Sequence, residues 1–525
     1  MHSVLSFLLF DPSIVLMADD ANYVMGAIDF LEKGQFPLAH GATLYHLVTA
    51  AAFALFGKSF LVGKACSVLW ATLTLVLTYF VFRKLVSLWV LVGVLFIQAS
   101  NFLIHFYASS NMSESFFMLM QMVLVATVFH CHEGLLTSLR WTRDSVGRFV
   151  LLCIPVVITS FLLSISKSVG IVAPVAVVLY LLLHRKWANG AVFLALFMLV
   201  KSAYGWGVKS LFGITHLSRR TDFILQKDYY RPEFGNEDVL GLLVRAWENF
   251  HHHVSVDLLR ILGWRENSFL NEPLPAFSLL FLFLFGLCLW WSWRRKTRLL
   301  FVGLYLMLLA AATFVSLQTH WKQDRVILIM IPLALLFLLD GGQACVKERF
   351  STKLPLVYGA VLLLGIVNLH HLGWAITRSQ FIQAQYLKGN KLVAYTPDWQ
   401  NYLKAAQWAG ENLPPESAVL CRKGNTAAVY APGHATFLNC SLYTTKPGDQ
   451  VLKELHDQGV THILLANLRL NPSQAVQGRV HDAVHSHVQA ILATEPNALR
   501  IRYSTKNEER AMLLEINYAA VPMGF

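Results

Sequence analysis

The sequence predicts a mainly α-helical, multi-pass membrane bundle with a small carboxyl-terminal α/β domain, and three observations predict it. The chain of 525 residues is 55% hydrophobic and only 14% charged, whereas soluble domains carry about 25% charged residues. Its mean hydropathy is +0.50. Apolar runs long enough to cross a bilayer recur along the chain up to residue 371, and the pattern stops after residue 376. This excludes an ordinary water-soluble enzyme. The net charge of +12 is spread in short clusters between apolar runs rather than in one patch. That distribution fits the sidedness of a membrane protein and excludes nucleic acid as a partner. The seven cysteines form no CxxC pair or zinc-finger spacing.

A hydrocarbon core of about 30 Å needs about 20 residues of helix, and the only other spanning structure is a closed barrel. The runs are continuous in Leu, Val and Phe, without the two-residue alternation of a barrel strand. They lie near Val4 to Met17, Val62 to Phe82, Leu85 to Phe106, Ser113 to Cys131, Phe149 to Ser164 and Val169 to Leu183. Further runs are Ala191 to Tyr204, Phe277 to Trp293, Leu299 to Leu317, Val326 to Leu339 and Leu354 to His371. About eleven transmembrane helices are therefore expected. The first run is short, contains Asp11-Pro12 and lacks flanking Lys or Arg. A cleaved signal peptide competes for it, but no basic stretch precedes it and no small-x-small site follows.

Loop charge sets the expected topology. With a cytoplasmic amino terminus, fourteen Lys and Arg lie inside: Arg83-Lys84, Arg140, Arg143, Arg148, Arg185-Lys186, Arg294, Arg295, Lys296, Arg298, Lys347, Arg349 and Lys353. The short loops assigned outside hold Lys167, Lys322 and Arg325. An odd number of spans then places the carboxyl-terminal segment outside.

Three segments escape the apolar pattern. The first outer loop, Ala18 to Phe60, reads as two interfacial helices with apolar faces through Tyr23, Ala27 and Phe30 and through Leu44, Leu47 and Val48. The loop from Gly205 to Ala276 carries Arg219-Arg220, Asp222 and Lys227-Asp228, then an amphipathic run through Leu242, Trp247, Phe250 and Val254. The tail, 377–525, is long enough for a domain of its own, so the expected division is a membrane module 1–376 and an outer α/β domain 377–525. In the tail Ala418 to Cys421, His462 to Ala466, Ala498 to Tyr503 and Ala511 to Ile516 read as strands; Tyr402 to Asn412 and Asp449 to Gln458 read as helices. Cys421 and Cys440 are open to two readings, a disulfide outside the cytoplasm or two buried thiols.

Charges at the mouths of spans are costly, so those present are candidates for function. On the expected outer side stand Asp19 and Asp20, Glu114, Lys167, and the group His320, Lys322, Asp324 and Arg325. Asp19-Asp20 read either as an acidic cap for the following helix or as a general base with a partner that holds a metal or the acceptor. Glu114 in Ser-Asn-Met-Ser-Glu-Ser is open as a capping-box partner of Ser110 or Asn111. Lys167 interrupts an apolar hairpin, which a turn does not require, and points to a phosphate or carboxylate partner. Arg325 opens an apolar run and reads as a snorkelling side chain or as a cation for a leaving phosphate. His251, His252 and His253 are adjacent on a helix and point to different faces, which opposes one shared metal ion.

In order and sidedness these residues resemble a known family. Asp19-Asp20-Ala21-Asn22-Tyr23, then Leu44-Tyr45-His46, then Leu55-Phe56-Gly57-Lys58-Ser59, are similar to elements of the GT-C membrane glycosyltransferases. The resemblance is to the bacterial branch of protein O-mannosyltransferases and aminoarabinose lipid A transferases, and it covers Met1 to about His371. Glu114 looks like the branch's second acidic position, Lys167 with Gly170 like its Lys-Gly segment, and Arg325 with Pro332 like its late Arg-Tyr...Pro element. Asp20 stands where the family usually has Glu, Ala42-Thr43 where Pro-Pro is common, and Ser168-Val169 separate Lys167 from Gly170.

The resemblance implies an inverting transferase of a bacterial inner membrane. It would move a sugar from a polyprenyl-phosphate donor to a hydroxyl of a lipid, glycan or protein acceptor at the outer face. It implies Asp19 as the base, with Asp20 beside it, and Lys167 and Arg325 as cations for the departing phosphate. Tyr23, Tyr45, His46, Glu114, His320 and Lys322 would contact substrate. No cofactor is required; a divalent metal ion, if present, would fall to Asp19, Asp20 and Glu114. The rival classes are a transporter or flippase, expected to carry midplane charges and matching halves, and a scaffold or receptor, which leaves the ordered charges unexplained.

Overall fold

The computed structural model describes the chain except residues 1, 17–18, 39–40, 140–141, 215–219, 266–270, 351–355, 434, 470–482, 507–508 and 521–525. Met17, Ala18, Arg140, Arg219, Lys353 and Leu354, used above, lie outside the described residues. The chain forms two compact units. The first comprises Met1–Asp11, Gly26–Leu225 and Asn236–Gln380; the second comprises Pro12–Met25, Gln226–Gly235 and Phe381–Phe525.

The first unit is helical. Among the described residues, six helices are long and apolar enough to cross a membrane: Phe60–Phe82, Ser113–His130, Asp144–Ser166, Trp187–Phe212, Pro275–Arg294 and Leu299–Ser316. Leu88–Ser100 and Phe102–Ala108 make a seventh span if counted together, bent by 57°. The bend falls at Asn101. Its Oδ1 accepts from Ile104 N–H at 3.0 Å and caps the second piece, while its Nδ2 donates to Ile261 O at 2.6 Å and Asn368 Oδ1 at 2.7 Å. Ser168–Leu183, Ile331–Ala344 and Thr43–Phe56 are shorter apolar helices. Of the run expected from Leu354 to His371, the part from Leu356 onward lies in a 32-residue helix, Leu356–Leu387. The Ser113–His130 helix is the most buried of the long ones and packs between Phe60–Phe82 and Arg143–Ser166.

The expected span from Val4 to Met17 is corrected. That segment holds a seven-residue helix, His2–Leu8, and no helix from Phe10 to Leu16. Asp11-Pro12 explains the stop, because proline offers no N–H and disfavours helix in the residue before it. Seven residues rise about 10 Å, a third of a hydrocarbon core. The cytoplasmic amino terminus expected above depended on that span and loses its basis with it.

The first outer loop folds as two helices, Asp20–Lys33 and Thr43–Phe56. In the large loop, Asp238 Oδ1 accepts from Gly241 N–H at 2.7 Å and caps Val239–His252. That helix leaves Leu240, Leu243, Val244 and Trp247 exposed on one face. A π-helical turn, His253–Asp257, follows. His251 parts from its two neighbours: its Nδ1 meets Ser278 Oγ at 2.8 Å, while His253 Nδ1 and His252 Nε2 lie 2.5 and 3.8 Å from the same Asp257 Oδ2.

The second unit contains a five-stranded sheet of β1 (Ala418–Cys421), β2 (Thr436–Asn439), β3 (His462–Ala466), β4 (Leu499–Ser504) and β5 (Ala511–Ile516). The order is β2-β1-β3-β5-β4, parallel across β2, β1 and β3 and antiparallel from β3 through β5 to β4. Side chains alternate between two cores. Val419, Cys421, Leu464, Ala466, Ala511 and Leu513 pack with Trp399, Tyr402 and Leu403 of the Pro397–Asn412 helix. Leu420, Ile463, Leu465, Leu514 and Ile516 pack with Val451, Leu452 and Leu455 of Gly448–Asp457 and with Val484, Val488 and Ile491 of Ala483–Thr494. Burial on both faces explains the apolar run Ile463 to Ala466 of β3. Cys421 and Cys440 are both buried and free, so the disulfide reading is set aside.

The early segment 12–25 is built into this unit. Leu16 enters the Trp399 core, Tyr395 Oη donates to Ile14 O at 2.9 Å, and Ile14 N–H donates to Tyr430 Oη at 3.4 Å.

Burial lowers the pKa of His462 and of His487 below the ordinary 6.5. The unfolded chain therefore takes up protons on these rings before the folded one does. Their contribution to stability is complete above about pH 6.5 and is lost as pH falls toward the folded values. Chemical denaturation of the full chain, followed by tryptophan fluorescence, is expected to show stability falling from pH 7 to pH 5, with a shallower fall in His462→Gln/His487→Gln.

Candidate functional site

In the first unit the fold gathers charges from four chain segments. Glu114 sits in the first turn of Ser113–His130 and is fully buried. Lys167 ends the Arg143–Ser166 helix in an extended conformation, φ −160° and ψ 142°, before a 3-10 turn, Ser168–Ile171. Gly170 lets that turn close: a Cβ there would lie 2.1 Å from Leu163 O, so only glycine fits. The break brings Lys167 Nζ to 2.6 Å from Glu114 Oε1 and 3.5 Å from Ser113 Oγ. Arg325 opens the short helix Arg325–Leu328, and its guanidinium stands 3.8 Å from the same Glu114 oxygen. Its Nε donates to Gln323 Oε1 at 2.6 Å. Glu114 Oε2 has no hydrogen-bond partner among the described residues.

The capping-box reading of Glu114 does not hold. Met112 is the N-cap without a side-chain bond, and Ser110 Oγ donates back to Tyr107 O at 2.7 Å. Glu114 is an ion-pair partner instead.

Arg260 was not singled out in the sequence. It donates to Asp324 Oδ2 at 2.6 Å, while Tyr107 Oη donates to Asp324 Oδ1 at 2.6 Å. Asp324, next to Arg325, is thus held between a cation and a phenol. A signal existed: Arg260 breaks an apolar run, Val256 to Leu262, in the outer loop. Lys64, also unremarked, is fully buried and donates to Asp11 O at 2.9 Å and Ser109 O at 2.8 Å.

Other expected positions have different surroundings. Tyr45 is fully buried, with its ring 5.5 Å from Trp70 and 6.1 Å from Phe116. His46 is also buried; its Nδ1 bonds Ala42 O at 2.9 Å, and its ring lies where a Cβ on Gly26 would fall. His320 and Lys322 are exposed, with the His320 ring 5.6 Å from Trp321.

In the second unit Asp19 and Asp20 differ sharply. Asp20 is fully buried, and its Oδ2 accepts from Val15 N–H at 3.0 Å. Asp19 is half-buried, and its Oδ1 accepts from Asn22 Nδ2 at 3.3 Å. Tyr23 is buried. Among the described residues no three His, Cys, Asp or Glu are grouped to hold a metal ion.

No family model and no curated protein matches the chain. Solved structures do. ArnT from Cupriavidus metallidurans bound to undecaprenyl phosphate is 13% identical at a TM-score of 0.51, over 99% of this chain and 98% of that one. Its apo form gives 14% and 0.50, over 99% and 97%. The archaeal oligosaccharyltransferase AglB from Archaeoglobus fulgidus, in complex with an inhibitory peptide and a dolichol-phosphate, is 10% identical at 0.50, over 100% of this chain and 74% of that one. At such identities the likeness is one of fold, and the fold is that of the GT-C glycosyltransferases.

Breaking the Lys167–Glu114 pair leaves a buried carboxylate poorly compensated. Lys167→Met is expected to destabilise the protein by about 3 kcal/mol, and Glu114→Gln/Lys167→Met to recover most of that loss. Thermal unfolding of the three proteins in the same detergent measures it.

Proposed function

We propose that the chain is an integral-membrane inverting glycosyltransferase that moves a sugar from a polyprenyl-phosphate donor to an acceptor hydroxyl at the extracytoplasmic face of a bacterial inner membrane. The observation that carries this reading is the pairing of Lys167 and Arg325 on the single buried carboxylate oxygen of Glu114. Two cations on one carboxylate keep an excess of positive charge where water is scarce. There a leaving phosphate gains more from fixed cations than it would in bulk solvent. That ArnT was solved bound to undecaprenyl phosphate and AglB in complex with a dolichol-phosphate supports the same class of donor here. The bias of Lys and Arg among the loops supports the extracytoplasmic placement.

Asp19, rather than Asp20, is the base. Asp20 is fully buried and already accepts a backbone N–H, whereas Asp19 keeps solvent access. The Asp19 carboxylate takes the proton of the acceptor hydroxyl as that oxygen bonds to the anomeric carbon. The bond from this carbon to the phosphate oxygen breaks on the opposite face, and its electron pair leaves with the lipid phosphate. Lys167 and Arg325 neutralise that charge. Asp20 fixes the loop from which Asp19 projects, and no step is assigned to a metal.

The test uses the full chain in proteoliposomes, radiolabelled undecaprenyl-phosphate sugars, and membrane lipids, glycans and proteins as acceptors. Wild type is expected to transfer label, and Asp19→Asn to lower kcat by at least about 100-fold, the lower bound for losing a general base. Equal transfer by both removes Asp19 from the mechanism. Solute uptake by the proteoliposomes that survives Asp19→Asn supports a transporter instead.

A further inference from the structure

We infer that Asn425 is a positioning residue for Asp19, acting through the side-chain amide of Asn22. The inference rests on the proposed role of Asp19 as base and identifies what aims it.

All three residues belong to the second unit. Asn425 Nδ2 donates to Asn22 Oδ1 at 2.8 Å, and Asn22 Nδ2 donates to Asp19 Oδ1 at 3.3 Å. The direction of this chain matters. An amide has an accepting end and a donating end, and which end faces a neighbour is set by the network around it. Because Asn425 donates to the oxygen of Asn22, the NH₂ of Asn22 is turned toward Asp19. Without Asn425, Asn22 is free to present either end, and its oxygen would repel the carboxylate. Asn425 thus fixes the sign of the contact that Asp19 receives, from two residues away.

The anchor is rigid. Asn425 is the second residue of the Gly424–Tyr430 helix, which follows β1 after two residues. Gly424 N–H donates to Asn439 Oδ1 at 2.6 Å, and Lys423 N–H donates to Tyr402 Oη at 3.1 Å, so strand β2 and a core tyrosine hold the turn. Tyr430, at the far end of the same helix, reaches Ile14, five residues before Asp19. A carboxylate meant to take a proton from one hydroxyl must keep one orientation, and small misplacements of a reacting group cost rate. The carboxyl-terminal domain supplies that orientation to a base encoded some 400 residues earlier in the chain.

The experiment measures kcat and donor KM in the proteoliposome assay, with melting temperature as a check on folding. Asn425→Ala is expected to lower kcat about 10-fold with donor KM unchanged. Asn425→Asp, nearly the same size, is expected to lower it further, because the introduced carboxylate draws the Asn22 NH₂ toward itself and turns the Asn22 oxygen onto Asp19. In an Asn22→Ala background neither change at 425 should alter kcat, since the relay is already cut. Wild-type kcat in Asn425→Asp, a loss that appears only in donor KM, or equal losses with and without Asn22 overturns the inference while leaving Asp19 as base. An inert wild type, or Asp19→Asn as active as wild type, overturns the reading beneath it and the relay with it.

Discussion

A carboxylate removed from water must be matched by positive charge, and much of the membrane unit's local geometry is arranged around one such group. Glu114 has no exposed surface, and Lys167 and Arg325 stand 2.6 and 3.8 Å from the same one of its oxygens. Bringing Lys167 there requires the Arg143–Ser166 helix to end where it does and the next turn to close against Leu163, which Gly170 permits. Bringing Arg325 there requires a short helix to begin beside Asp324, itself fixed by Tyr107 and Arg260. A site of this kind is held by its own electrostatics before any substrate arrives, which is what stabilisation of a departing anion demands.

The two acidic neighbours near the start of the chain show how burial divides a motif. Asp19 and Asp20 are chemically identical, and sequence order gives no ground for ranking them. In the folded chain one carboxylate is fully buried and accepts from the backbone of its own loop, while the other is half-buried beside the amide of Asn22. The loop itself is stapled by Leu16, Tyr395 and Tyr430 to the α/β core, so its conformation is set by the second unit.

What the sequence disclosed follows from what is local. Most of the long apolar runs appear as helices, and the four strands with dense Val, Ile, Leu or Tyr appear within a residue of their expected places. β2 escaped because Thr436–Asn439 is partly exposed and lacks the buried apolar run that marks β1, a strand of the same length. The amino-terminal run misled because its composition is apolar while Asp11-Pro12 forbids a continuous helix. Of the candidate residues, Glu114, Lys167 and Arg325 were legible because charge at a helix mouth is costly and needs a reason. The burial of Tyr45 against Trp70 and Phe116 and the role of Arg260 depend on residues distant in sequence, so no spacing rule could reveal them.

The central claim is that the Lys167–Arg325 pair receives a lipid phosphate. Its most direct measurement is a density map of the full chain in lipid nanodiscs with undecaprenyl phosphate added. The account predicts phosphate density within hydrogen-bond distance of Lys167 Nζ and the Arg325 guanidinium. Phosphate bound elsewhere, with the Lys167–Glu114 contact closed as in the lipid-free chain, would contradict it.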